Sequence, residues 1–377
     1  MELGFTRLEL FSDLFGYITP YVIFVLWMAI LLLFRKKAKN KWIVEIFLIL
    51  SLVIFTGLKE PFTWDLQNYC NMYHNPSMLS FNWIEPFLIF SVKFLNYFSS
   101  NCVLLFAWYQ FWTVFFINLA IKNLSPKSYG FSFFLYLMIP TFFINSFGVE
   151  IRQVLAVAIL LYALSLLIKG NVKKSLIFFT LAVLSHYSAI FAVIIIFILY
   201  GLFKLLKNKK NLILELVGAL IFLTLFLPYG LINLSPFAVI VPIEKYQWYF
   251  TQTSPVPFLE LLIYNLVAFI ALFVAVKAND REKKFIIFLF AIGVLILNIL
   301  KNYEIVTRIF FYFSILQIIF IPFIVHKIQP REVCFLLFIA IYSLQFIYGL
   351  FYVTPYGDYA YLPYKGMITE LFQNKSY

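Results

Sequence analysis

The sequence predicts an all-α, polytopic integral membrane protein of about twelve transmembrane helices. Three observations carry this expectation. Of 377 residues, 63% are hydrophobic and only 12% charged, whereas soluble domains are nearer 45–50% apolar and about 25% charged. Mean hydropathy is +0.93, and the apolar residues fall in continuous runs of span length. A membrane β-barrel would instead alternate apolar and polar residues. The composition also excludes a soluble enzyme, a disordered chain and a nucleic-acid partner. The net charge of +12 resides mostly in short basic clusters between apolar runs.

A span needs roughly 20 apolar residues. The runs are 17–34, 42–58, 102–121, 131–147, 151–168, 211–228, 258–276, 285–301, 308–325 and 333–352. The first run ends at Arg35-Lys36-Lys37, and the acidic residues before it are wrong for a cleavable signal. The stretch 175–206 would reach about 48 Å as one helix, too long for a core of ~30 Å. Lysines flank it at both ends, so it is expected to turn around at Ser185-His186-Tyr187-Ser188 and to span twice. The segment 84–98 carries Glu85 and Lys93. If it crossed, lysines 122, 127, 169, 173 and 174 would all lie outside, so it is expected to be re-entrant or interfacial.

The resulting topology places both termini outside and 20 of the 29 Lys and Arg residues on the cytoplasmic side, as the positive-inside rule requires. The chain reads as one transmembrane domain, 1–377, with outer segments 59–101, 229–257 and a tail 353–377. Cys70, Cys102 and Cys334 are far apart and odd in number, which argues against a disulfide framework or a zinc site.

Charged residues at membrane boundaries default to function, and they gather at the outer face. Asp65, Tyr69 and Tyr73 recur at i, i+4 and i+8, which places them on one helical face. They form either a sugar-binding surface or an interfacial aromatic belt. Glu150-Ile151-Arg152-Gln153 opens a span. An arginine at a helix start opposes the macrodipole, so it either binds an anion such as a diphosphate or pairs with Glu150 or Glu304. His186, with Ser188, interrupts an apolar stretch. It is either a packed turn residue, a phosphate ligand or a general base near neutral pH. Lys301, Glu304 and Arg308 form a second charged group at an outer boundary. There is no Walker A, GxGxxG, HExxH or DxD pattern, so neither a catalytic metal nor a cofactor is expected.

Several pieces together resemble the EpsG/Wzy-type family of O-antigen and capsule polysaccharide polymerases. They are Asp65…Tyr69…Tyr73, then Glu85-Pro86-Phe87, then Gly148-Val149-Glu150-Ile151-Arg152-Gln153-Val154-Leu155-Ala156. Leu184-Ser185-His186-Tyr187-Ser188-Ala189 and Thr307-Arg308-Ile309-Phe310-Phe311-Tyr312 follow. The Pro355-Tyr356 and Pro363-Tyr364 tail is also similar.

The resemblance implies a metal-independent membrane glycosyltransferase with a GT-C-like architecture. Such an enzyme joins undecaprenyl-diphosphate-linked repeat units at the periplasmic face of the bacterial inner membrane. Its partners would be the lipid-linked glycan donor and acceptor, membrane lipids and a chain-length regulator. His186, Asp65 and Glu85 become the candidate bases. Arg152, Arg308, Tyr69, Tyr73, Glu150, Gln153, Ser188, Lys301 and Glu304 become the candidate substrate contacts. Three competitors are a lipid-linked oligosaccharide flippase, an O-antigen ligase and a membrane acyltransferase. Against them stand the absence of an internal repeat, an outer loop of only 29 residues at 229–257, and the outer position of His186.

Overall fold

The computed structural model describes residues 14–79, 84–206, 209–229, 234, 247 and 250–353. The N-terminal acidic residues, most of the 229–257 loop and the tail after 353 lie outside the described residues. Those described fold into sixteen α-helices with short connections and no sheet; one isolated bridge joins Thr253 to Tyr303. A helix satisfies its backbone groups within itself, one of the two ways a chain can meet hydrocarbon.

In chain order the helices are α1 Leu14–Lys37, α2 Lys41–Leu52, α3 Trp64–His74, α4 Pro86–Asn96 and α5 Val103–Leu124. They continue as α6 Tyr129–Met138, α7 Pro140–Gly148, α8 Ile151–Ile168, α9 Val172–Ser185, α10 Ala189–Leu205 and α11 Lys210–Leu225. The last five are α12 Phe258–Lys277, α13 Arg281–Leu300, α14 Glu304–Ser314, α15 Gln317–Lys327 and α16 Arg331–Val353. Six of them, α1, α5, α8, α12, α13 and α16, are long and apolar enough to cross a membrane unaided. Two bent pairs raise the number to eight: α6 with α7 at 50°, and α14 with α15 at 53°. Pro140 accounts for the first bend, since it suits the first turn of a new helix and not the interior of an old one.

The other four expected spans are helical but shorter. Helix α2 has 12 residues and runs on into a π-helical turn, Val53–Gly57, while α9, α10 and α11 have 14, 17 and 16. Helix α4 has only 11 residues, about 16 Å at 1.5 Å per residue, half the thickness of a hydrocarbon core.

The chain divides into two compact units, residues 1–162 with 336–377, and 163–335. In the first, α1, α2 and α5 pack together. The π-helical turn lies so close to α5 that a Cβ on Gly57 would sit 2.8 Å from the Ala107 Cα, so only glycine fits. At the end of α1 nearest the basic cluster, Arg35 Nε and Lys122 Nζ donate to the two oxygens of buried Glu45, at 3.0 and 2.9 Å.

In the second unit, α11, α12 and α13 form a sheaf against which α10, α14 and α15 pack. Asn265 and Asn298 exchange side-chain hydrogen bonds of 2.9 and 2.8 Å at its centre, and Asn298 Nδ2 also donates to the Ile221 carbonyl. Reciprocal amide pairs of this kind join helices where the hydrophobic effect cannot, at about 0.6–2 kcal/mol each. Helices α9 and α10 form a hairpin, with Phe179 against Phe197, and the chain reverses at residues 186–188.

Large side chains such as Ile23, Leu33, Phe34, Leu216, Leu223, Leu259 and Leu344 point outward. So many exposed large apolar side chains are foreign to soluble monomers and suit a lipid surround.

Candidate functional site

In the first unit the site grows from the linker 58–63. Thr63 is the N-cap of α3, and its hydroxyl accepts from the Leu66 N–H at 3.2 Å. Asp65 then lies in the first turn, where a carboxylate complements the helix dipole. One turn on, Tyr69 is buried, and its hydroxyl accepts from Arg152 Nε at 2.8 Å. Arg152 Nη1 forms an ion pair with Glu85. Glu85 is the N-cap residue of α4, but its side chain is not spent on the cap. Its carboxylate is 2% exposed and the arginine side chain 13%. Burial pushes the Tyr69 phenol up against the opposing pull of Arg152, so it remains a neutral hydrogen-bonding group. Two of the five guanidinium N–H donors go to Tyr69 and Glu85. Glu150 accepts from Asn145 Nδ2 at 3.0 Å, and Gln153, which follows Arg152, is buried.

Tyr73 does not share an open face with Asp65. It is fully buried, and its hydroxyl donates to the Ser99 carbonyl at 2.6 Å. Three residues back, Cys70 is joined to Cys102, which corrects the expectation that the cysteines form no disulfide. The parity argument failed because the odd cysteine, Cys334, is simply buried and free. The bond ties α3 to the start of α5 and encloses α4 with Glu85.

In the second unit His186 follows the last residue of α9 in an extended conformation, φ −159° and ψ 119°, and is 5% exposed. Its N–H donates to the Ala182 carbonyl, and its own carbonyl accepts from the Ala189 N–H, so the residue closes one helix and opens the next. The hydroxyls of Ser188 and Tyr312 are hydrogen-bonded at 2.9 Å, both buried. Glu304 begins α14, and Arg308 stands one turn later with Nε and Nη2 on Glu304 Oε1 at 3.3 and 3.0 Å. This pair is the more open one, with side chains 22% and 27% exposed. Lys301 is not the second half of a basic clamp. It is buried, its Nζ donates to the Leu225 carbonyl at the end of α11 at 3.0 Å, and the Tyr229 ring centroid is 4.7 Å away.

The sequence-predicted residues thus gather as Tyr69, Glu85 and Arg152 in one unit, and as Ser188 with Tyr312 and Glu304 with Arg308 in the other. Sequence reasoning missed Lys59, Thr63 and the disulfide. Lys59 was visible as a lysine at an outer boundary, against the charge bias, but it entered only as a count. Among the described residues no group of three His, Cys, Asp or Glu side chains is arranged to hold a metal ion.

Comparison with curated proteins and with solved structures gives no match. The family comparison does: the EpsG family model covers residues 42–365, a stretch that contains every candidate residue named above. The chain belongs to the EpsG family.

Proposed function

We propose that this protein polymerises undecaprenyl-diphosphate-linked oligosaccharide repeat units into an O-antigen, capsular or exopolysaccharide, working at the periplasmic face of the bacterial inner membrane. The EpsG family is one of Wzy-type polymerase-like proteins, which supports a polysaccharide polymerase. The observation that carries the reading is Arg152, a guanidinium braced by Glu85 and Tyr69 at the start of a span, where a helix dipole alone would disfavour it. The proposed topology has twelve spans, a GT-C-like arrangement and both termini outside. The Cys70–Cys102 disulfide supports an outer position for α3 and α4, because disulfides persist in oxidising compartments.

In the proposed reaction an acceptor sugar hydroxyl attacks the anomeric carbon of the glycan on the donor lipid. The bond from that carbon to the diphosphate oxygen breaks, a glycosidic bond forms, and the hydroxyl proton passes to a base. The lipid diphosphate leaves with one more negative charge. Arg152 in the first unit and Arg308 in the second each bind a diphosphate through planar bidentate donors. His186 is the proposed base, with Asp65 or Glu85 as the alternative. Glu85 is already engaged by the Arg152 guanidinium. Ser188, Glu150, Gln153, Glu304, Lys301, Tyr69 and Tyr73 shape or support the binding surfaces, and a chain-length regulator is a proposed partner.

The test is the glycan ladder of a strain lacking the gene. A polymerase defect leaves one repeat unit and no ladder, restored by the wild-type protein and not by Arg152→Lys. Loss of every unit would instead indicate a flippase or a ligase.

A further inference from the structure

The corner between α7 and α8 presents Arg152, and all four of its last helical carbonyls are accounted for. Such carbonyls have no partner within their own helix, and at a membrane boundary water does not reliably supply one. The Asn145 carbonyl accepts from the N–H groups of Val149 and Glu150, at 3.1 and 3.0 Å. The Ser146 and Phe147 carbonyls accept from Lys59 Nζ, the first at 3.0 Å. The Gly148 carbonyl accepts from the Thr63 hydroxyl at 2.6 Å. Lys59 is 1% exposed, with the Phe106 and Phe147 ring centroids 5.6 and 5.0 Å from its nitrogen. Burying an ammonium in this way is costly, and burial holds its pKa well below the ordinary lysine range.

The geometry shows what the cost secures. Thr63 grips two elements with one hydroxyl, accepting from α3 and donating to α7. Helix α3 carries Tyr69, which holds Arg152 Nε, and α7 leads after Val149 and Glu150 into the turn of α8 that carries Arg152 itself. The linker 58–63 therefore sets the distance between the arginine and the phenol that orients it.

We propose that Lys59 and Thr63 are positioning residues for Arg152: they lock the α7–α8 corner to the start of α3 and so aim the guanidinium at the diphosphate. The proposal rests on the reading of Arg152 given above. It is tested by a coupling measurement rather than by loss of activity alone, since an ordinary packing defect also lowers activity.

Lys59→Met, Thr63→Val, Arg152→Lys and the combinations of each linker variant with Arg152→Lys are expressed to equal level in the deletion strain. Initial polymerisation rates are measured in their membranes, over a range of the lipid-linked repeat unit that the deletion strain accumulates. Misplacement of a binding group by about 1 Å costs up to about 100-fold. Lys59→Met and Thr63→Val should each lower kcat/KM by between about 10- and 100-fold. In the Arg152→Lys background the same changes should lower it by less than about 2-fold, because the fork they aim is already gone. Thr63→Ser retains the hydroxyl and should restore the rate, a rescue that bulk packing would not give. If Lys59→Met fails to accumulate, the Thr63 series decides alone.

A wild-type rate in both Lys59→Met and Thr63→Val, with Arg152→Lys impaired, overturns this proposal and leaves Arg152 in place. So do losses that multiply in the double variants. Full activity in Arg152→Lys overturns the role of Arg152, and this proposal with it.

Discussion

Removing Arg152 should have two effects that a second substitution can separate. The Glu85 carboxylate is 2% exposed and its ion partner is Arg152. Truncation to Arg152→Ala strands that charge, and breaking a buried pair from one side costs about 3–5 kcal/mol. That is a large share of the roughly 5–15 kcal/mol that stabilises an ordinary folded domain. Replacing both partners, as in Arg152→Met with Glu85→Gln, removes the stranded charge, and neutral replacements of a buried pair are often tolerated. The double variant should therefore regain most of the thermal midpoint lost by Arg152→Ala in detergent.

Activity should not follow stability. A hydrogen bond to a charged group contributes about 1.5–3 kcal/mol. Loss of one of two such bonds to a diphosphate in Arg152→Lys lowers the rate by about 10- to 150-fold, at 1.4 kcal/mol per factor of ten. Loss of both in the neutral double variant lowers it by about 10²- to 10⁴-fold. The assay is the polymerisation rate in membranes, measured beside thermal melting of the purified protein. A double variant that regains both its melting midpoint and its glycan ladder would show that the pair is only a brace, and would refute the reasoning.

Three further outcomes are expected. His186→Ala should abolish polymerisation; His186→Gln should do so too if His186 is the base, since a base contributes typically 10²–10⁴-fold, and should keep partial activity if the ring only donates to a phosphate, while normal ladders from both variants would make it a packed turn residue. The Cys70–Cys102 bond closes a separation of 32 residues, for which chain entropy gives about 3.5–4 kcal/mol. Cys70→Ser should lower the melting midpoint accordingly, and denaturing alkylation without reductant should modify one of the three cysteines rather than all three. Lys127, exposed in the turn between α5 and α6, is expected on the cytoplasmic side, so Lys127→Cys should resist an impermeant thiol reagent that labels Lys245→Cys; equal labelling would reverse the topology.

Hydropathy made the helices legible because a span is a one-dimensional signal, about 20 apolar residues between charges. The reversal at 186–188 was legible for the same reason: a 32-residue apolar stretch does not fit the membrane once. What hydropathy does not carry is pairing. Arg152 was given Glu150 or Glu304 as a partner because those acids are near in sequence or share an expected boundary. Its partner is Glu85, 67 residues away at the N-cap position of a short helix. Spacing placed Asp65, Tyr69 and Tyr73 on one face, yet the face of a helix says nothing about which part of it a neighbour covers; α4 and residue 99 cover Tyr73. Lys59 enters the sequence reading only as a charge at a boundary and Lys301 as a candidate substrate contact, and neither reading reveals a nitrogen committed to backbone carbonyls.

That commitment separates the roles of the basic residues. Lys59 and Lys301 are both buried, and each donates to carbonyls at the end of a helix, α7 for one and α11 for the other, with aromatic rings alongside. A cation at a helix C-terminus meets the negative end of the dipole and satisfies carbonyls that hydrocarbon and protein would leave bare. Moving either lysine to a substrate would uncover those carbonyls, at about 1–3 kcal/mol for each group left unsatisfied. Arg152 and Arg308 are held differently. Each is paired to a carboxylate, Glu85 or Glu304, and each keeps part of its side chain exposed. The carboxylate offsets the arginine's charge, and a guanidinium has donors enough to keep that bond and donate to an anion as well. Within each unit the lysine therefore belongs to the scaffold, and the arginine is the cation left for the diphosphate contact proposed above.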